Sequence, residues 1–214
     1  MAGNCIIDDE VCCEASRQEI IRRYYKSRTN NLLSGGADEE ETFKIELLLK
    51  QAHASCEDRR VVPASLRKEA DTNAPAAAME LPDGRIVYGK TSELLGASSA
   101  LLLNALKELA GIPHEHHVIS PDALRPIQEL KTNYLGSKNP RLHSDETLIA
   151  LSISAATNPE ARMALEQLRN LRGCQAHTSV MLSDVDIRQA RILGVELTCE
   201  PQYEKHKEYY MNHK

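Results

Sequence analysis

Residues 79–110 read MELPDGRIVYGKTSELLGASSALLLNALKELA and carry the clearest structural signals of the chain. Two short runs rich in strand-forming residues, 79–81 and 85–88, flank Pro82-Asp83-Gly84. An Asp-Gly pair between such runs is typical of a β-hairpin turn. Apolar residues then recur at helical spacing over 92–110. A hairpin followed by an amphipathic helix predicts a sheet with a helix packed on it.

The chain beyond this stretch alternates helix and strand signals. Ser120 with Pro121, and later Ser183, are residues typical of helix N-termini. Further helices are predicted before Gly136, at 145–156, at 159–170 and after Ser183, and strands at 176–182 and 195–199. This alternation predicts an α/β domain over 78–201, followed by a charged tail at 202–214.

The N-terminal third has helical signals only. Apolar residues recur at helical spacing in two segments, 8–27 and 38–54, and each begins with acidic residues that complement the helix dipole. Residues 27–31 are expected to end the first helix. We therefore predict a helical subdomain over 1–62, and the Pro- and Ala-containing stretch 63–77 is interpreted as a linker.

Composition excludes several classes of function. The chain has no Trp, one Phe and seven Tyr among 214 residues, and its formal net charge is −5. Base stacking needs aromatic platforms and duplex binding needs a basic surface, so we expect no nucleic-acid partner. Tyrosines cluster at 24–25 and 203–210, and we expect both clusters to pack against a partner surface.

Cysteine spacing and hydropathy predict a cytoplasmic protein. No two of the six cysteines have the spacing of a zinc ribbon or a redox dithiol, which favours free thiols in a reducing compartment. The N-terminus is acidic, unlike a signal peptide, and no apolar run approaches the roughly 20 residues that a membrane-spanning helix needs. We expect no membrane partner.

Residues 84–91, GRIVYGKT, match the phosphate-binding loop pattern of nucleotide-binding proteins letter for letter. That loop must curl around a phosphate, whereas Arg-Ile-Val-Tyr between the two glycines is strand-forming. We interpret the stretch as a hairpin that leads into a helix. Lys90 and Thr91, near the predicted helix N-terminus, stay candidates for anion binding.

Three histidines near residue 115 suggest a metal site. His114 and His116 have the alternate spacing that places two ligands on one face of a strand, and His143 or His177 would supply a third. The patterns typical of metalloproteases and zinc deaminases are absent. A polar surface loop is the preferred interpretation, and a metal-dependent hydrolase is an alternative.

The segment 131–145 has the composition of an anion-binding loop. Lys138, Asn139, Arg141 and His143 supply positive charge and hydrogen-bond donors beside Gly and Pro, and Ser144 is expected to start a helix. The alternative is an ordinary surface loop in which Ser144 only caps that helix.

Long stretches of this chain resemble one bacterial family. They are LPDGRIVYGKTSELLGASSALLLNALKELAGI, HVISPDALRPIQELKTNYLGSKNPRLHSDETLIALSISAATNPEARMALEQL, LRGCQAHTSVMLSDVD and, near the N-terminus, DDEVCCEASRQEIIRRYYK. The family is uncharacterised protein family 0371, or domain-of-unknown-function family 1846. The resemblance implies a helical subdomain followed by a three-layer α/β/α subdomain, and it implies no reaction or catalytic residue. Family members are more than twice this length, which implies that an N-terminal half is missing here.

Three functions remain open at the level of sequence, and none fixes an enzyme class or requires a cofactor. The first is binding of a phosphate-bearing small molecule or nucleotide through Lys138, Asn139, Arg141 and His143, with Lys90 and Thr91. The second is the metal-dependent hydrolase. The third is a self-assembly module that pairs with another copy or with the missing N-terminal half.

Overall fold

The computed structural model describes residues 8–37 and 39–204. The chain divides into two compact units, one ending at Arg60 and the other beginning at Val61. The fold is α/β. The described residues are 58% helical and contain eight α-helices and a mixed four-stranded sheet.

The described residues of the N-terminal unit form two α-helices, α1 (Asp9–Leu33) and α2 (Glu39–Gln51). The Asp8 carboxylate caps α1 by accepting a hydrogen bond from the Val11 amide at 3.0 Å. The break predicted at 27–31 is wrong. The Thr29 hydroxyl donates to the Tyr25 carbonyl at 2.8 Å, and α1 continues through these polar residues until Gly35 adopts a left-handed conformation with φ +68°.

The C-terminal unit contains the sheet and six helices. Its helices are α3 (Val61–Thr72), α4 (Ala97–Leu109), α5 (Pro121–Glu129), α6 (Ser144–Ser154), α7 (Pro159–Glu166) and α8 (Asp184–Leu193). Its strands are β1 (Ala76–Glu80), β2 (Ile86–Lys90), β3 (Gln175–Thr178) and β4 (Glu196–Cys199), in the sheet order β2-β1-β3-β4. Strand β1 runs antiparallel to both its neighbours, and β3 and β4 are parallel.

Helices cover both faces of the sheet in three layers. On one face, Val61 and Ala64 of α3 are buried with Ala78 of β1. On the opposite face, Ala77 and Met79 join the main apolar core, to which α4 contributes its leucines. The linker interpretation of 63–77 is therefore wrong, because this stretch forms most of α3 and the start of β1.

The hairpin prediction for 79–88 is confirmed. Strands β1 and β2 pair through a turn in which Gly84 has φ +82°. Residue 89 must be glycine because α4 crosses β2 at close range: a Cβ there would contact the Leu101 amide nitrogen and lie 2.6 Å from the Ala97 carbonyl oxygen. The stretch 86–90 is extended, so the phosphate-loop pattern has the wrong backbone shape for a nucleotide loop.

Tyr25 of the first tyrosine cluster is packed within the chain itself, and Tyr24 is half-buried. Tyr25 is buried, and its ring meets that of Tyr24 edge to face with centroids 5.7 Å apart. Tyr25 is therefore not available to a partner surface, contrary to the expectation. Tyr203 is exposed, whereas Tyr209 and Tyr210 lie outside the described residues.

In the part of the chain that the structure describes, no helix is both long and apolar enough to cross a membrane.

Candidate functional site

Polar side chains converge where α6 and α8 begin. The Asp186 carboxylate accepts hydrogen bonds from the Ser144 amide at 2.9 Å, the Ser144 hydroxyl at 2.6 Å and the Ser183 hydroxyl at 2.8 Å. Nδ1 of His143 lies 3.1 Å from Oδ2 of the same carboxylate. We call these four residues the Asp186 cluster.

The Asp186 cluster contains a buried negative charge. Burial by itself raises the pKa of Asp186, but the hydrogen bonds from His143 and Ser144 outweigh burial and hold the pKa below its ordinary value. The carboxylate is therefore ionised at neutral pH. It favours a proton on Nδ1 of His143, which leaves Nε2 as the ring nitrogen that can meet a ligand. Among the described residues, Nε2 has no hydrogen-bond partner, and the side chain is 25% exposed.

Helix α6 holds His143 by its backbone. His143 is the N-cap residue, and its amide donates to Oε2 of Glu146 at 2.8 Å in a capping box. Lys131 is buried, and its ammonium donates to the same Glu146 oxygen at 2.6 Å and to the Arg141 carbonyl at 2.7 Å. Helix α6 starts at Ser144, as the sequence predicted. In the alternative interpretation Ser144 only caps the helix, but the N-cap is His143 and the Ser144 hydroxyl donates to Asp186.

The loop before His143 is ordered by its own polar groups. Oδ1 of Asn139 accepts a hydrogen bond from the Arg141 amide at 3.1 Å. The Arg141 guanidinium donates to both carboxylate oxygens of buried Glu204, at 2.9 and 3.0 Å. Lys138 is exposed. The loop therefore presents an ammonium group next to an arginine whose charge is largely balanced by Glu204.

The structure brings four of the six predicted binding residues into this one loop, namely Lys138, Asn139, Arg141 and His143. Lys90 and Thr91 lie elsewhere, at the end of β2. The helix N-terminus predicted beside them is wrong, because α4 begins only at Ala97. No hydrogen bond or ion pair between described residues joins Lys90 or Thr91 to the loop.

The connection between β2 and α4 does reach the loop. The Leu142 amide donates to the Leu94 carbonyl at 2.9 Å, and the Leu142 carbonyl accepts from the Ser99 hydroxyl at 2.9 Å. These bonds fix Leu142, the residue directly before His143, against the start of α4. The loop is thus anchored on both sides of His143.

Sequence reasoning missed Asp186, which organises the cluster, and Glu204, which pairs with Arg141. The only local signal for Asp186 is Ser183-x-x-Asp186, a helix-start pattern. The pattern does mark the start of a helix, since Ser183 caps α8 and its hydroxyl accepts a hydrogen bond from the Asp186 amide at 3.2 Å. Nothing in it indicates that the carboxylate turns toward a second helix.

The histidines of the hydrolase hypothesis do not come together. Three of the four pair with different carboxylates: His116 with Glu160 at 2.7 Å, His143 with Asp186 at 3.1 Å, and His177 with Glu200 at 3.2 Å. Over residues 8–37 and 39–204, no three His, Cys, Asp or Glu residues are placed to hold a metal ion. The hypothesis therefore has no ligand set in this part of the chain.

Comparison with known families accounts for nearly the whole sequence. The model described as "Domain of unknown function DUF1846, C-terminal" matches residues 57–209. The chain belongs to the DUF1846 family. The model of the N-terminal DUF1846 domain matches residues 1–53, so the two structural units follow the two family domains closely.

Bacterial relatives agree with this DUF1846 assignment. The chain is 53% identical to the UPF0371 protein of Corynebacterium efficiens over 205 residues, which are 96% of this chain and 41% of the relative. It is 50% identical to that of Corynebacterium diphtheriae and 47% identical to that of Streptococcus uberis, each over 98% of this chain and 42% of the relative. The chain thus spans about two fifths of the length of these relatives. The resemblance noted from the sequence is confirmed, and the family has no assigned function.

Proposed function

We propose that this DUF1846 chain binds a phosphate-bearing small molecule at the loop that ends at His143. One observation carries the proposal: the ionised Asp186 carboxylate holds the imidazole through Nδ1 and leaves Nε2 for a ligand. A protonated imidazole and an ammonium group are donors suited to phosphate oxygens. His143 and exposed Lys138 supply these two groups in one short segment.

The remaining loop residues have supporting roles in this proposal. Asn139 uses its side-chain oxygen within the loop, which leaves the amide NH₂ group to point a donor at the ligand. Arg141 orders the loop through the bond from its amide to Asn139, while its guanidinium forms an ion pair with Glu204 that offsets its charge.

The charge balance of the site predicts weak rather than tight binding. The cations Lys131 and Arg141 are each paired with a glutamate. The N-terminus of α6, a natural place for an anion, already holds the Asp186 carboxylate. The excess positive charge is therefore that of Lys138, to which a proton on His143 adds. We expect phosphate binding to strengthen when the imidazole is protonated.

Titration calorimetry with inorganic phosphate, AMP and ATP tests this proposal. Lys138→Ala and His143→Gln are each expected to weaken binding about tenfold, which corresponds to about 1.4 kcal/mol. Lys90→Ala is the matched control, because it removes an exposed lysine away from the loop and should leave the affinity unchanged.

Two outcomes would contradict the proposal. One is the absence of heat and of thermal stabilisation with all three ligands. The other is equal loss of affinity in Lys90→Ala and Lys138→Ala, which would indicate general charge attraction rather than a site.

We also propose a cytoplasmic location. Cys174 and Cys199 are buried and carry free thiols. Burial raises the pKa of Cys174, and it raises that of Cys199 to about 11, so both are held as thiols. Free buried thiols are typical of reducing compartments. Fractionation of cells with an antibody against the chain tests the location.

A further inference from the structure

Helix α2 has apolar residues on two opposite faces. Thr42, Ile45 and Leu49 are buried and share one face. Phe43 and Leu47, four residues apart, lie on the opposite face and are 59% and 42% exposed. We call this pair the Phe43 face. A helix that is apolar on both sides is typical of a position between two layers of a protein rather than at its surface.

The Phe43 face has the composition of an interface. Phe43 is the only Phe of the chain, and aromatic residues are enriched at the centres of protein interfaces. Charged residues border it, with Lys44 and Glu40 forming an exposed ion pair at 2.6 Å. An apolar centre with a charged border is the arrangement that protein contacts use.

The longer relatives have further residues that are available to cover this face. Helix α2 lies within residues 1–53, which match the N-terminal DUF1846 domain. The relatives extend well beyond the match, which covers 41–42% of their length. Two helices are too little to enclose a core of their own, and a domain packs its elements around one shared core.

We propose that the Phe43 face docks the remainder of the N-terminal DUF1846 domain. The occupant is an apolar surface built from the residues that the longer relatives have outside the match, in the same chain in those proteins. A second copy of this chain is the competing occupant. It would have to cover Phe43 in a concentration-dependent way, whereas an intramolecular contact is independent of concentration.

Thiol labelling of this 214-residue chain and of the longer Corynebacterium efficiens relative tests this proposal. Phe43→Cys is made in this chain, and the aligned position is changed to Cys in the Corynebacterium efficiens relative. Labelling of that peptide by a maleimide is followed by mass spectrometry, so that native cysteines do not interfere. We expect labelling in the relative to be at least about tenfold slower than in this chain, because the remaining domain covers the site.

Lys90→Cys at the end of β2 is the control, and the aligned position in the relative is changed in the same way. Lys90 is exposed and lies in the C-terminal unit, outside the Phe43 face, so labelling should be fast in both proteins. Hydrogen exchange of the two unsubstituted proteins gives an independent measurement, in which the amides of α2 should exchange more slowly in the relative.

Equal labelling of the Phe43 position in the two proteins, with equal exchange of the helix, would overturn the proposal. Labelling of the Phe43 position in this chain that slows as the protein concentration rises would indicate that a second copy covers the face. That result would also overturn the proposal. Slow labelling and slow exchange in the relative alone would support it.

Discussion

Nδ1 of His143 lies 3.1 Å from Oδ2 of Asp186, although 43 residues separate the two along the chain. This contact links the start of α6 to the start of α8 and sets the tautomer of the imidazole. The pKa of Asp186 is held below its ordinary value of 3.8, so the negative charge of Asp186 is present over the whole neutral range.

Asp186→Asn is expected to destabilise the chain by about 3 kcal/mol at pH 7. The change removes a buried negative charge and leaves the donors on Ser144, Ser183 and His143 without the carboxylate that they contact. The lowered pKa of Asp186 means that its contribution is present above the pKa of the unfolded state and is lost as the pH falls through the folded-state pKa. The difference between wild type and variant should therefore shrink below about pH 4. Urea unfolding at a series of pH values measures it, and a difference that is constant with pH would contradict this account.

Gly89→Ala is expected to destabilise the C-terminal unit by about 3 kcal/mol, since the added Cβ would overlap the backbone of α4 at Leu101. Gly96→Ala is the control, because a Cβ there meets only the Leu142 carbonyl oxygen at 3.8 Å, an ordinary contact. Thermal unfolding of both variants gives the comparison. Equal melting temperatures for the two would show that α4 does not cross β2 as closely as described.

Thr147→Val is expected to leave stability unchanged or to raise it by about 1 kcal/mol. The Thr147 hydroxyl is fully buried and has no hydrogen-bond partner among the described residues, and valine has the same shape without the polar atom. Ser99→Ala is the contrasting change, because it removes a bond of 2.9 Å to the Leu142 carbonyl and should cost about 1 kcal/mol. A clear loss of stability in Thr147→Val, measured by urea unfolding, would mean that the hydroxyl has a partner.

Glu204→Gln is expected to tighten phosphate binding several-fold. The change removes the negative charge that the Arg141 guanidinium now contacts with two hydrogen bonds, so more of the arginine's charge acts on a ligand. Calorimetry with inorganic phosphate measures the effect, and Glu166→Gln on α7 serves as a control for loss of one negative charge. Unchanged affinity in Glu204→Gln would indicate that Arg141 lies too far from the ligand to matter.

Local signals predicted the elements well where adjacent residues control them. The Asp83-Gly84 turn and the strands beside it are confirmed, as is the helix that follows Ser183. Two errors have a common cause. The stretch 63–77 contains two prolines and several polar residues, yet residues 63–72 are helical because Val61 and Ala64 of the same helix bury against the sheet. The start of α4 moves to Ala97 because the preceding residues hydrogen-bond to Leu142.

The candidate site was predictable only in part. The composition of one loop pointed to Lys138, Asn139, Arg141 and His143, which are neighbours in sequence and hence in space. Asp186 and Glu204 could not be predicted as part of the site. Asp186 lies 43 residues after His143 in the sequence, and Glu204 lies 63 residues after Arg141. The sequence shows that a carboxylate is present but not which residue it binds. That partner depends on how the helices pack.

The sequence by itself determined the α/β class, the hairpin and the family, since these depend on periodicity, turn residues and long runs of similarity. The tertiary structure decided which carboxylate orients His143, why residue 89 is glycine, and that α2 keeps an apolar face uncovered. The physical reason is the distance along the chain over which each kind of interaction acts. Backbone preferences act over a few residues, whereas burial, hydrogen bonding and charge pairing act between segments that only folding brings together.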